Sequence, residues 1–334
     1  MIDNKESLDI RKVIGILADY VMLNSVATDS TSLYYGRAGM SICLFEASRY
    51  LNDEYMEDYA FTLLKQALVN QKNDIRFDAG LSGIGYALSY LIRNKFVDAD
   101  FNDLFQIQHS IIVDGFIRQD YENMNLKSLM QQWLLVLYFH YVPCDKASFK
   151  IKELHKICIE KFKEEWKAMR KYTNSVDKEL IASLWNIYLK VFPLMSEQDS
   201  YQHIYDYQNL VKDGFLKRDM QSLYYISIIK NKSFNSTSLK RMVEDYITDF
   251  YSIDSLYLKT LFSNPYISHE IIQTRIHKLF NNVLIKDLEE NIISQLGFSS
   301  NSATLSFGVS GLVLGLIGME TRSNRIINEI MPII

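Results

Sequence analysis

Ala79-Gly80-Leu81-Ser82-Gly83 stands at the head of an apolar run, Ile84 to Ile92, and the chain says nearly the same thing twice more. Tyr35-Gly36-Arg37-Ala38-Gly39 and Phe307-Gly308-Val309-Ser310-Gly311 carry the same Gly-x-(Ser/Ala)-Gly signature, each just ahead of a strongly apolar segment. A recurring glycine pair implies one structural unit used several times. Inside a helix each glycine costs about 1 kcal/mol against alanine, so two at a fixed offset predict close backbone approach at a helix start.

The periodicity around these motifs is helical. Ile10, Val13, Ile14, Leu17 and Val21 form a one-sided apolar stripe, with Arg11, Lys12 and Asp19 on the opposite side. Ala60, Leu63, Leu64, Ala67 and Leu68 repeat the pattern, as do Leu239, Met242, Val243, Tyr246, Ile247 and Phe250. The segments after the glycine motifs differ. Ile84 to Ile92 and Leu312 to Met319 are apolar or small on nearly every side, which predicts helices enclosed on both faces.

One-sided helices thus alternate with enclosed ones. Further enclosed helices are expected to begin near Ser128-Leu129, Ser183-Leu184, Ser222-Leu223 and Ser255-Leu256, which with the three motifs makes seven starts. Polar amphipathic segments fall between them, for example Ser148 to Met169, Asp199 to Val211 and Ser268 to Leu279. The reading is all-α: an α/α toroid of about seven inner/outer helix pairs, one domain over residues 1–334, since no Pro/Gly/Ser linker divides the chain. An α-solenoid is the alternative; its repeats stack in sequence but need not close, and its glycines need not converge.

Composition narrows the function classes. Thirty-six Lys plus Arg against forty Asp plus Glu give no electrostatic reason to expect nucleic acid or an anionic membrane, either of which would favour a basic patch. Four prolines and thirteen glycines are few for 334 residues, which argues against a turn-rich β-sandwich. The polar start Met1-Ile2-Asp3-Asn4-Lys5-Glu6 carries no secretory signal, and Leu305 to Met319 is interrupted by glycines and short for a bilayer span. Three cysteines, Cys43, Cys144 and Cys158, without Cys-x-x-Cys fit a reduced compartment. The expected setting is cytoplasmic, without membrane insertion.

Phe77 to Leu88, followed by Tyr90-Leu91-Ile92 and Phe96-Val97, resembles the second glycine motif of lanthionine synthetase C-like proteins. Tyr35-Gly36-Arg37-Ala38-Gly39-Met40-Ser41-Ile42-Cys43-Leu44-Phe45 resembles the first, and Leu305-Ser306-Phe307-Gly308-Val309-Ser310-Gly311-Leu312 the last. The resemblance covers about the first hundred residues and the last thirty. It implies a double ring of seven helix pairs and a role in bacterial maturation of a ribosomally made peptide. Catalytic members of that family hold zinc through two Cys and one His, and the metal activates a peptide thiol for addition to a dehydrated serine or threonine.

This chain departs from the pattern at that point. No cysteine follows Cys158, and the last repeat reads Ser306-Phe307-Gly308 where a Cys-His-Gly-like run would stand. The resemblance therefore implies the fold and the substrate neighbourhood without the zinc, and no cofactor is expected.

The glycine motifs have two readings, which are compatible. Gly36, Gly39, Gly80, Gly83, Gly308 and Gly311 permit tight packing of inner helices. Alternatively, the same helix N-termini point N–H groups at a shared mouth that favours a polar or anionic ligand. Arg37, Asp78, Ser82, Ser306 and Ser310 would then be the polar residues nearest the opening, with Tyr34 and Tyr35 as walls. The resemblance also implies an acidic residue near the second motif, for which Asp78 is the candidate.

Other constellations are weaker. His140, Cys144, His155 and Cys158 have the spacing of a zinc clip, but Tyr138, Tyr141 and Trp166 around Pro143 favour core packing. The six histidines are scattered and no Gly-x-Ser-x-Gly elbow is present. Gly80-Leu81-Ser82-Gly83-Ile84-Gly85 lacks the strand and Gly-Lys-Ser/Thr of a phosphate loop. Asp78 and Glu46 are the carboxylates available for sugar chemistry, at a separation the sequence does not fix. The run Lys161 to Lys167 reads as a solvated outer-helix face.

The leading expectation is a zinc-less toroid that binds a precursor peptide or a partner modification enzyme. A metal-independent peptide cyclase or other peptide-modifying enzyme using Asp78, Arg37 or a tyrosine is the first alternative. A carbohydrate-processing toroid, with carboxylates and stacked aromatics in its cavity, is the second.

Overall fold

A computed structural model describes residues 9–69, 73–168, 187, 190–191, 303–305, 308–323 and 325–330. Among the described residues the chain is all-helical, with eight α-helices and no strand. The helices are α1 (Ile10–Ser25), α2 (Arg37–Leu51), α3 (Glu54–Val69), α4 (Leu81–Arg93), α5 (Phe101–Ile117), α6 (Leu126–Tyr141), α7 (Asp145–Ala168) and α8 (Val309–Thr321). A π-helical turn, Ile326–Ile330, follows α8. Ile187, Lys190 and Val191 are helical; the rest of the segment expected after Ser183-Leu184 lies outside the described residues. So do the starts near Ser222 and Ser255, the stripe from Leu239 to Phe250, and the segments Asp199 to Val211 and Ser268 to Leu279.

Two kinds of helix start are present, and the uncapped kind belongs to the three most enclosed helices. Asp9, Asp100 and Asn125 cap α1, α5 and α6, their side-chain oxygens accepting N–H groups of the first turn at 3.0, 2.7 and 2.9 Å. Asp53 does the same for Met56 ahead of α3, at 3.0 Å. By contrast α2, α4 and α8 begin at Gly36, Gly80 and Gly308 in extended backbone, with no side-chain cap.

The difference follows from burial. Every residue from Ala38 to Ser48, Leu81 to Leu91 and Val309 to Met319 is buried. α8 lies against α2, α2 against α4 and α4 against α6. α6, though capped by Asn125, belongs to this row, and the other helices cover it from outside: α1 lies on α2 and α8, α3 on α2, α5 on α4, and α7 on α6 and α5. α6 and α7 match the enclosed start near Ser128-Leu129 and the amphipathic segment from Ser148.

Close approach is built into the inner helices. A Cβ on Gly85 would stand 2.6 Å from the Phe105 ring and 2.9 Å from the Tyr138 ring, where α5 and α6 press on α4. Fully buried aromatics such as Phe45 and Phe77 fill the space between layers, each worth roughly 1.5–3 kcal/mol of transfer free energy. The buried tyrosine hydroxyls find partners: Tyr86 donates to the Glu329 carbonyl at 2.7 Å, and Tyr121 to the Phe116 carbonyl at 2.8 Å. Tyr138 bonds His109 Nδ1 at 2.7 Å. None of the described helices is long and apolar enough to cross a membrane.

Candidate functional site

The three glycine loops meet. Tyr34 N–H donates to the Asp78 carbonyl at 3.1 Å, and Leu305 N–H donates to the Tyr34 carbonyl at 3.1 Å, so one backbone position ties all three together. The second glycine of each of the first two motifs receives a leucine from the neighbouring loop. A Cβ on Gly39 would stand 2.8 Å from Leu305 Cβ, and one on Gly83 would stand 2.7 Å from Leu33 Cβ. Gly36 and Gly80 lie equally close to their own loops, where a Cβ would overlap the Ser30 and Asp74 carbonyl oxygens.

Several groups expected to face an opening are engaged by their own loops. Arg37 N–H donates to the Ser30 carbonyl at 3.0 Å and Leu81 N–H to the Asp74 carbonyl at 2.7 Å. Ser82 and Ser310, both fully buried, reach back seven residues to donate to the Ile75 and Ala303 carbonyls, each at 2.5 Å. In both repeats the serine fastens the loop to the helix start. The first repeat has Ala38 at this position and lacks the bond. Ser306 lies outside the described residues.

Tyr35, Arg37 and Asp78 are half-buried beside Tyr34, which is 6% exposed. The Tyr34 ring meets Tyr35 and Phe77 edge-on, both with centroids 6.1 Å apart. Burial first, then the Asp78 charge and Tyr35, raises the Tyr34 hydroxyl above its ordinary range. Tyr35 is raised by burial and then by Asp78. Both phenols are therefore neutral donors at pH 7. The Arg37 Nε is buried and has no hydrogen-bond partner among the described residues.

Lys190 completes the cluster, and sequence reasoning missed it. Its Nζ lies 3.5 Å from the Tyr34 hydroxyl and 5.4 Å from the centroid of that ring. Burial lowers the ammonium to about 8. The residue as a whole is half-buried. The signal available in the sequence was a lone lysine within the apolar segment after Ser183-Leu184.

The His/Cys set does not assemble. His155 accepts the Trp133 indole N–H at 2.9 Å, and burial holds it at about 4. Cys158 is buried and raised by burial, while His140 is exposed. Cys43 is buried behind the rim, its thiol pushed up to about 12 by burial despite a bond to Ser310. Among the described residues no group of His, Cys, Asp or Glu is gathered to hold a metal ion. The chain matches no family model, and no curated protein matches it.

Proposed function

We propose that the chain closes into an α/α toroid of about seven helix pairs, one domain over residues 1–334, as a zinc-less relative of the lanthionine synthetase C-like proteins. Its role is to hold a ribosomally made precursor peptide, or the enzyme that modifies it, at the rim formed by the glycine loops. The observation that carries this reading is the junction at Tyr34, where the first, second and last loops join through their backbones. The rim offers what an extended peptide requires: a cation at Lys190, guanidinium donors at Arg37, a carboxylate acceptor at Asp78 and phenol edges at Tyr34 and Tyr35.

The thiol chemistry of zinc-bearing relatives finds little support here, since no cysteine follows Cys158 and Cys43 is a buried neutral thiol. Fluorescence anisotropy with the co-encoded precursor peptide tests the proposal. Binding is expected, and Lys190→Met and Asp78→Asn should each weaken it about tenfold, the effect of losing one charged hydrogen bond. No measurable interaction with peptide or modification enzyme would remove the idea.

One observation favours the enzymatic alternative. An amine lowered to about 8 by burial is a general acid–base group usable near neutral pH, and the neutral Tyr34 phenol beside it serves as a hydrogen-bond donor. In that case incubation with dehydrated peptide should give product that resists chelator and is lost in Lys190→Met. Persistence of activity in that variant excludes Lys190 from the chemistry.

A further inference from the structure

Away from the glycine rim, the segment after α8 is fastened to the first two inner helices by a buried polar cluster. The Glu46 side chain, on α2, is 0% exposed. Arg325 meets it with two nitrogens, Nε to Oε1 at 2.7 Å and Nη2 to Oε2 at 2.5 Å. Tyr90 on α4 donates its hydroxyl to the same Oε1 at 2.5 Å. Glu46 and Tyr90 each stand ten positions past the first glycine of their motif, so the repeat places them side by side. Four residues beyond Arg325, Glu329 pairs with Arg93 at 3.0 Å, and its carbonyl accepts the Tyr86 hydroxyl. Ile326 and Ile330 are fully buried beside these polar ties.

The other end of α8 belongs to the rim. Its first turn follows the loop whose Leu305 N–H is bonded to the Tyr34 carbonyl. The rim junction and the Glu46 cluster are thus the two attachments of one rod, and α8 otherwise lies on α1 and α2. We propose that residues 325–330 are a latch: the Glu46–Arg325 pair holds α8 in place, and releasing it loosens the last glycine loop while α3 to α7 stay folded.

The physical basis is asymmetric. Removing one partner of a buried ion pair leaves an uncompensated buried charge, whereas neutralising both is far less costly. Proteins open locally in contiguous units, so the cost falls on the segment that can leave. The inference concerns the chain alone and stands whether or not a peptide binds at the rim.

Amide hydrogen exchange on the full chain tests it. Arg325→Met should speed exchange of residues 309–330 by about a hundredfold or more, with residues 81–141 changed only a few-fold. The double variant Glu46→Gln with Arg325→Met should recover only part of that protection: no charge remains unpaired and Gln still accepts the Tyr90 hydroxyl, but the tie itself is gone, so exchange at 309–330 should stay about tenfold faster than in the wild type. If Arg325→Met does not fold, Glu46→Gln carries the same comparison, since Arg325 is partly exposed and can turn to water. An even rise across all helices, no rise at 309–330, or a double variant as well protected as the wild type would overturn the latch.

Discussion

A single methyl group distinguishes the glycines that matter from those that do not. Gly83 lies within α4 without a left-handed φ, so closeness rather than a special φ fixes its identity. Its Cβ would overlap the Phe77 carbonyl oxygen and crowd Leu33, and backbone cannot move aside cheaply. Gly83→Ala should destabilise by about 1–3 kcal/mol in urea unfolding. Gly15, in α1, has nothing within 4 Å of its Cβ, and Gly15→Ala should stabilise by about 0.5–1 kcal/mol. Equal effects of the two substitutions would contradict this account. At this scale the sequence showed that the glycines marked close approach, but not what approaches. Ser82 and Ser310 read as ligands because they stand at helix starts; their seven-residue reach to Ile75 and Ala303 is a property of loop shape that spacing does not reveal. Lys190 was illegible for the converse reason, since its partner Tyr34 lies far away along the chain.

Pairs of elements were more legible than single groups. The stripe at Ile10, Val13, Ile14, Leu17 and Val21 is the buried side of α1, and the all-round apolar character after Gly80 is a helix with neighbours on every side. What periodicity left open was the polar fastening between layers, and the joint of α6 with α7 shows its energetic weight. Trp133 on α6 donates to His155 on α7, and burial keeps that imidazole neutral, with its folded pKa near 4 against an ordinary 6.5. The unfolded chain therefore takes up the proton first as pH falls. Stability from this site is intact above about pH 6.5 and drains away down to about pH 4. Between pH 7 and pH 4.5 the loss amounts to about 2 kcal/mol from this group. His155→Gln, which can still accept the indole N–H, should remove that part of the acid sensitivity in urea titrations at the two pH values. Identical losses in both proteins would show that other groups carry the acid response.

For the whole molecule, closure is the question on which a shared rim depends, and it turns on where α8 lies. An open superhelix of the seven pairs proposed above would set its first and last repeats about six helix spacings apart, on the order of 50 Å at 8–10 Å per spacing. In the structure α8 packs against both α1 and α2, and Leu305 fills the space left by Gly39. The Tyr50 hydroxyl at the end of α2 is raised by burial and then by Glu320, and Arg11 lies 5.4 Å from the same ring, so the start of α1 and the end of α8 share a neighbourhood. Spin labels on the exposed positions Lys12 and Glu320 measure that arrangement directly, without any ligand. Their dipolar coupling should report one population at about 20 Å or less, allowing for the label arms across adjacent helices. The same labels in Arg325→Met should show a second, longer component if the latch holds α8 down. A wild-type distance near 50 Å would separate the last glycine loop from the first, and with it dissolve the site at Tyr34.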